Sequence, residues 1–406
     1  LLGGLAFHLV KALLLENIHP EAERVLASRG FEVQTHSTAL GADELVQALD
    51  GVDYLGIRST TDVTADVIAR APQLRAIGAF CIGTNQIDLD AAAEAGIAAF
   101  NAPYSNTRSV VELAIAEIIS MARRLTEKNA NMHAGLWEKT ATGSHEVRGR
   151  TLGIVGYGNI GAQLSVLAEA LGMRVLFYDI ADRLPLGNAR RVDTLEELLE
   201  QSETVSVHVD GRVENTNLFG AREFALMPRR ALFLNLCRGH IVDHEALHDA
   251  LASGHIAGAA IDVFPQEPKK RDAHFVSKLQ GMPNVILTPH VGGSTLEAQV
   301  DIGRYVAGKL ADYEQTGSTS MSVNFPDIAA GPFQAHRIVH LHRNVPGVLA
   351  SLNSIFASSD LNIGAQSLAT RGQIGYAITD VQGAPQPGML DELARIDGTL
   401  RVRVLG

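Results

Sequence analysis

The stretch GIVGYGNIGAQL, residues 153–164, limits what this chain can fold into more than any other segment. Gly156, Gly158 and Gly161 stand in the spacing G-x-G-x-x-G. Ordinary strand-to-helix turns share that spacing, so the neighbours decide its meaning. Upstream, TLGIV is an apolar run that stops at Gly156, as a buried parallel strand does. Downstream, Ile160, Leu164, Leu167, Ala168 and Leu171 recur at helical spacing until Gly172 stops the helix. RVLFYD then reads as the next strand and closes on Asp179. Asp179 lies roughly 20 positions beyond the third glycine, where an acid that binds the adenosine ribose is expected.

Each part has a physical task. Gly156 permits a tight turn, Gly158 lets backbone amides approach a pyrophosphate, and Gly161 lets the helix pack closely on the strand. The helix N-terminus from Asn159 and Ile160 faces the phosphate charge. Asp179 would accept hydrogen bonds from both ribose hydroxyls and repel a 2′-phosphate. Ile180 and Ala181 follow it, and the nearby Arg183 is equally well a surface charge. The pattern therefore predicts dinucleotide binding, with NAD favoured over NADP.

Further short apolar runs follow at 204–209, 231–236, 257–264 and 284–290. Helical segments DTLEELLEQS and DHEALHDALASG lie between them, each opened by an aspartate suited to capping. Regular alternation of strand and helix predicts a doubly wound parallel sheet, which binds ligands at the carboxyl ends of its strands. Three such ends carry Arg238, Glu267 and His290. An arginine fork suits a carboxylate. A histidine can take an alcohol proton while a hydride leaves, and a carboxylate beside it fixes its tautomer. Taken singly, the arginine is as readily surface charge and the histidine a turn residue.

The rest of the composition narrows the class. With 406 residues there is room for two or three domains. A formal net charge of −11 gives no electrostatic support to nucleic-acid binding. The apolar start is interrupted by His8 and Lys11, too short and broken for a membrane span, and it lacks the marks of a signal peptide. VKALLLEN within it reads as a buried first strand. Two cysteines, Cys81 and Cys237, make no disulfide framework and fit a reducing cytoplasm. No metal site is expected.

The segments GAFCIGTNQIDLDAAAEAGI, FNAPYSNTRSVVELAIAEI, GYGNIGAQL, AAIDVFPQEP and LTPHVGGST together resemble the D-isomer-specific 2-hydroxyacid dehydrogenase family over almost the whole chain. The resemblance implies Arg238 on the substrate carboxylate, His290 as acid/base and Glu267 hydrogen-bonded to His290. It places cofactor contacts at Asn159, Ile160, Asp179, Leu236, Cys237, Asp262, Val291, Gly292 and Gly293, beside the three fingerprint glycines. Arg58 and Ser59 of GIRSTTD, with Asn106, would meet substrate; Lys139 is either a further contact or a solvated loop charge. Cys237, beside a cation and a cofactor, would be either an oxidisable thiol of lowered pKa or a small filler.

The implied fold is a doubly wound Rossmann cofactor domain (105–292) inserted in a flavodoxin-like α/β substrate domain (1–104 and 293–320), with the substrate cleft between them. The long helix after Ser105 would cross between these domains and help a dimer form. The implied reaction is NAD-dependent oxidation of 3-phosphoglycerate at the entry to L-serine synthesis, with 2-oxoglutarate reduction as a side activity. Two alternatives stand beside it: a dehydrogenase of another 2-hydroxy acid, and a non-enzymatic NAD-sensing binding protein. Relatives often carry a second arginine where Thr60 stands, Ala-Ser where Leu236-Cys237 stand, and a proline after His208-Val209.

Residues 314–327 have the Gly/Ser/Thr/Pro character of a linker. Beyond it the order βαββαβ predicts a ferredoxin-like unit over 333–406. HRNVPGVLASLNSIFASSDLNI resembles the ACT domain, an amino-acid-sensing module that pairs edge to edge. The resemblance implies L-serine held by His342, Asn344 and Asn362 at the paired interface, in a homotetramer. A purely structural pairing domain is the alternative, and Gln334-Ala335 stand where relatives often have paired hinge glycines.

Overall fold

The computed structural model describes residues 9–268, 274–386 and 388–406. The first eight residues of the apolar start therefore lie outside the described residues. The chain forms two compact units, Leu1–Ser105 with Gln299–Gly406, and Asn106–Ala298.

The first unit opens with strands β1 (Lys11–Leu14), β2 (Glu32–Thr35), β3 (Tyr54–Ile57), β4 (Ala76–Ala79) and β5 (Ala98–Phe100). Helices α1 (Pro20–Ser28), α2 (Ala42–Ala48), α3 (Ala65–Ala69) and α4 (Leu89–Glu94) connect them. The sheet is parallel in the order β2-β1-β3-β4-β5, the flavodoxin-like arrangement. Every residue of β3, β4 and β5 is buried, which is why these segments read as unbroken apolar runs.

The second unit begins with α5 (Thr107–Arg123) and α6 (Leu125–His133). The single long helix expected here is broken at Arg124, which adopts the left-handed conformation (φ 50°) and both ends α5 and starts α6. Its guanidinium is held by Glu127 at 2.5 and 2.9 Å, so the turn is tied from the far side. There follow β6 (Thr151–Val155), α7 (Asn159–Ala170), β7 (Arg174–Tyr178), β8 (Arg190–Arg191), α8 (Leu195–Gln201), β9 (Thr204–Val207), α9 (Ala221–Leu226), β10 (Ala231–Asn235), α10 (His244–Ala252), β11 (Ile256–Ile261) and β12 (Val285–Leu287). The seven strands lie parallel in the order β12-β11-β10-β9-β6-β7-β8. The order reverses between β6 and β9, and the glycine turn after β6 sits at that switch point, where such sheets bind ligands. Asp243 caps α10 as expected, accepting from the amides of Glu245 and Ala246. At α8 the cap is Thr194 rather than Asp193: its hydroxyl accepts from Glu197 N at 3.1 Å.

The chain returns to the first unit through α11 (Leu296–Thr316) and ends in β13 (His336–Arg343), α12 (Val348–Ser358), β14 (Asn362–Arg371), β15 (Ile374–Gln382), α13 (Met389–Ala394) and β16 (Thr399–Leu405). This βαββαβ unit has an antiparallel sheet in the order β14-β15-β13-β16. Its underside joins the core of the first unit through Val339, Leu341, Tyr376 and Leu405. The segment read as a linker is largely built in. Asn324 accepts from Ala99 N and donates to Ile97 O, both at 2.8 Å, and Ser322 donates to Ala99 O. Ser322 and Asn324 thus satisfy the otherwise open edge of β5, a use that composition does not distinguish from solvation.

Candidate active site

The cofactor end is built by close approach. A Cβ on Gly156 (φ 92°) would lie 2.6 Å from His208 O, so the turn between β6 and α7 closes on β9 only with glycine there. Gly158, the cap residue of α7, faces open space, and no side chain caps that helix. The first-turn amides of α7 are thus left for an anion, and this cradle fits a pyrophosphate. Asp179 follows β7, with Oδ2 accepting from Tyr157 N at 2.7 Å and Oδ1 from Ala181 N at 2.8 Å. The acid therefore also pins the glycine turn. Arg183 Nε approaches Asp179 at 3.9 Å.

The chemical end comes from the loops after β10, β11 and β12. Asn235, fully buried, laces the first loop: its Oδ1 accepts from Cys237 N and its Nδ2 donates to Arg238 O. Gly239 lets that loop touch the next, because a Cβ there would lie 1.9 Å from the carbonyl carbon of Phe264. Asp262, buried after β11, organises the third loop. Its Oδ1 accepts from Thr288 Oγ1 (2.6 Å) and Val291 N (2.8 Å), its Oδ2 from Gly292 N (2.8 Å), and its carbonyl from His290 N (2.8 Å). These bonds hold His290 in the left-handed region (φ 54°), which costs an L-residue roughly 1–2 kcal/mol.

So held, His290 places Nδ1 2.8 Å from Glu267 Oε2. The pair leaves Nε2 as the nitrogen open to proton exchange. The bond to Glu267 raises the His290 pKa above its usual value; burial and the charge of Arg238 oppose this and are outweighed. Burial works to raise the Glu267 pKa, but the bonds from His290 and from Phe264 N (3.0 Å) prevail and lower it. Arg238 is near enough that its charge acts on both partners. The structure thus brings Arg238, Glu267 and His290 together.

Other predicted residues fall as follows. Asn106 occupies the N-cap position of α5 without a side-chain capping bond and lies against Gly293, where a Cβ would meet its amide. Leu236 and Cys237 are buried. Burial pushes the Cys237 thiol up to about 11 despite Arg238, opposite to the lowered pKa expected beside a cation, and its Sγ donates to Asn235 Oδ1. Lys139 is exposed on the loop after α6. Arg58 and Ser59 belong to the first unit, in the loop after β3. In the ferredoxin-like unit His342 is buried under its neighbours, its ring over Gly375 and stacked on His340 at 5.1 Å. Asn344 bonds Gly372 O near one end of the sheet, and Asn362 bonds Gln382 at the other. Eight β15 positions separate the two ends, about 27 Å at 3.4 Å per residue. One chain alone does not gather these three side chains.

Residues 115–292 match the model for the NAD binding domain of D-isomer specific 2-hydroxyacid dehydrogenases, and 338–401 that for the AHAS small subunit-like ACT domain. The chain is 49% identical to the D-3-phosphoglycerate dehydrogenase of Haemophilus influenzae over 398 residues, 98% of this chain and 97% of that one. It is 45% identical to the Dictyostelium discoideum protein of the same name, again over 98% and 97%. This chain belongs to the D-3-phosphoglycerate dehydrogenase family. Among solved structures it is similar to D-2-hydroxyisocaproate dehydrogenase (26% identity, TM-score 0.71, covering 78% of this chain and 100% of that one). It is also similar to the TT0316 protein of Thermus thermophilus (31%, TM-score 0.67, 74% and 96%). The protein is an NAD-dependent oxidoreductase.

In this D-3-phosphoglycerate dehydrogenase relative, the parts that hold the site rather than line it carry little mark in the sequence. Thr288 fixes Asp262, and Tyr157, between the fingerprint glycines, stacks on Phe177 at 3.7 Å and bonds Ser165. The tyrosine inside G-Y-G was the one available signal.

Proposed function

We propose that this protein oxidises 3-phospho-D-glycerate to 3-phosphohydroxypyruvate, the entry step of L-serine synthesis. The observation that carries the reading is the His290–Glu267 pair beside Arg238, in a chain that aligns almost end to end with relatives of that name. Bound NAD supplies the hydride acceptor; the fingerprint glycines, the amides of Asn159 and Ile160, Asp179, Asp262 and the 291–293 loop would hold it. Arg238 takes the substrate carboxylate through its planar fork. His290 removes the hydroxyl proton at Nε2, and Glu267 holds the ring and favours the imidazolium that results. Arg58 and Ser59 take the phosphate. Comparing kcat/KM for 3-phosphohydroxypyruvate with those for glyoxylate, hydroxypyruvate and 2-oxoglutarate tests the substrate choice; a preference for a phosphate-free acid would overturn it.

Two variants probe the roles directly. Oxidation needs His290 neutral, and its raised pKa means that the rate falls as pH drops through a value above 6.5. Glu267→Gln removes the raising interaction, so the acid limb of kcat/KM should move to lower pH while the maximum falls; an unmoved limb would contradict the pairing role. Asp179→Asn removes the charge but keeps an oxygen for Tyr157 N. It should narrow the preference for NAD over NADP and disturb the turn less than Asp179→Ala. An unchanged ratio of the two kcat/KM values would remove Asp179 from ribose recognition.

The ferredoxin-like tail would act as an L-serine sensor in a homotetramer. β14 is a ten-residue exposed edge, the kind of strand that pairs with another copy. Antiparallel pairing of two β14 edges about a two-fold axis would bring Asn362 of one copy beside Asn344 of the other, and so complete a site with amide donors and acceptors for an amino acid. α6 buries none of its residues, and Leu125, Met132, Leu136 and Trp137 (79% exposed) offer a second apolar pairing surface. Cys81 and Cys237 form no disulfide, which suits the cytoplasm. Among the described residues no helix is long and apolar enough to cross a membrane. L-serine should lower the rate at saturating substrate, D-serine should not, and Asn344→Ala should remove the response. Calorimetry without serine binding at millimolar levels would leave the tail a pairing domain only.

A further inference from the structure

The loop after β3 converges on one carboxylate. Glu16, which follows β1, accepts from Arg58 N (3.1 Å) and Thr61 N (2.9 Å) at Oε1, and from Thr60 N (3.0 Å) at Oε2. Glu16 and its neighbour Asn17 both stand in the left-handed region (φ 60° and 53°). Glu16 is thereby turned across the ends of β1 and β3, which are adjacent in the sheet (Leu15 N to Gly56 O, 2.9 Å). The other side of the loop is tied by Gln86, whose amide donates to Arg58 O at 2.5 Å. Backbone amides converging in this way form a nest that ordinarily takes an anion. Here the chain fills the nest itself.

Two consequences follow. The loop backbone is fixed before any ligand arrives, so the side chain of Arg58 projects from a fixed point. The amides of Arg58, Thr60 and Thr61 are also spent, so phosphate recognition by this loop is left to its side chains and the Ser59 amide. We propose that Glu16 is a positioning residue for the phosphate end of the substrate, acting through the Arg58 loop without touching substrate itself. This rests on the reading above that Arg58 takes the phosphate of a phosphorylated hydroxyacid.

The test is steady-state reduction of 3-phosphohydroxypyruvate by the full-length protein, with the KM for NADH measured alongside. In Glu16→Ala three amides lose their acceptor and the loop loses its anchor. A small misplacement of a binding group is costly, so the KM for 3-phosphohydroxypyruvate should rise by about tenfold or more. kcat and the KM for NADH should stay within about twofold, as expected of a lost ground-state contact. Glu16→Gln keeps an oxygen for Arg58 N and Thr61 N and should recover most of the KM; it also carries the test if the alanine variant does not fold. An unchanged KM for 3-phosphohydroxypyruvate in the alanine variant overturns the inference. So does a fall in kcat with both KM values intact, the mark of lost folded protein. In the glutamine variant alone, a KM for 3-phosphohydroxypyruvate raised about tenfold or more over the parent, or a parallel rise for NADH, also overturns it. A parent protein inactive on 3-phosphohydroxypyruvate overturns the reading of the reaction, and this inference with it.

Discussion

Replacing His290 with alanine should lower turnover by about 10²–10⁴-fold, the usual contribution of a positioned acid/base, while NAD still binds. The size follows from the geometry. The ring is held by Glu267 at 2.8 Å on Nδ1, and its backbone is forced into the left-handed region by Asp262 and Thr288. A site that spends backbone strain to aim one nitrogen depends on that nitrogen. Alanine at φ 54° is also strained, so thermal stability should be followed in parallel to separate lost chemistry from lost fold. Near-parent turnover would remove His290 from the mechanism.

Asp262→Ala should be nearly as damaging, by a different route. Asp262 is 1% exposed, and three donors point at its carboxylate: the Thr288 hydroxyl and the amides of Val291 and Gly292. Removing it leaves these donors without their acceptor, at about 1–3 kcal/mol for each that stays buried. The loop is then free to leave the strained His290 conformation. Stability and activity should fall together, with an apparent loss of some 2–4 kcal/mol in denaturant unfolding after partial relaxation of the loop. A variant with parent stability and parent activity would show that the loop holds itself. Glu117 bears on the same carboxylate. It is buried on α5, and burial, reinforced by the charge of Asp262, raises its pKa to about 8. At neutral pH it therefore adds little negative charge beside Asp262.

The cofactor end was legible because its rules are local. One turn, one helix and one strand supply Gly156, Gly158, Gly161 and Asp179, all within a short run of sequence. The three residues Arg238, Glu267 and His290 were legible as strand ends, since a parallel sheet gathers those ends on one side. What escaped depends on distance along the chain or on burial. The Asp262 clamp joins residues 26 to 30 positions apart, and the Glu16 nest spans more than 40. The break at Arg124 is one residue's choice of φ in a sequence that is helical on either side. Cys237 sits beside a cation, which suggested a lowered pKa, but its burial dominates. Residues 314–327 read as a linker by composition, yet Ser322 and Asn324 within them meet the edge of β5 rather than water.

The most direct test is the initial rate of NADH formation from 3-phospho-D-glycerate and NAD by the purified full-length protein, with glycerate lacking the phosphate as the paired substrate. Stereospecific turnover of the phosphorylated D-acid is expected, lost in His290→Ala, with little or none on the unphosphorylated acid. NAD binding without turnover of 3-phospho-D-glycerate, or equal rates with the two acids, would contradict it.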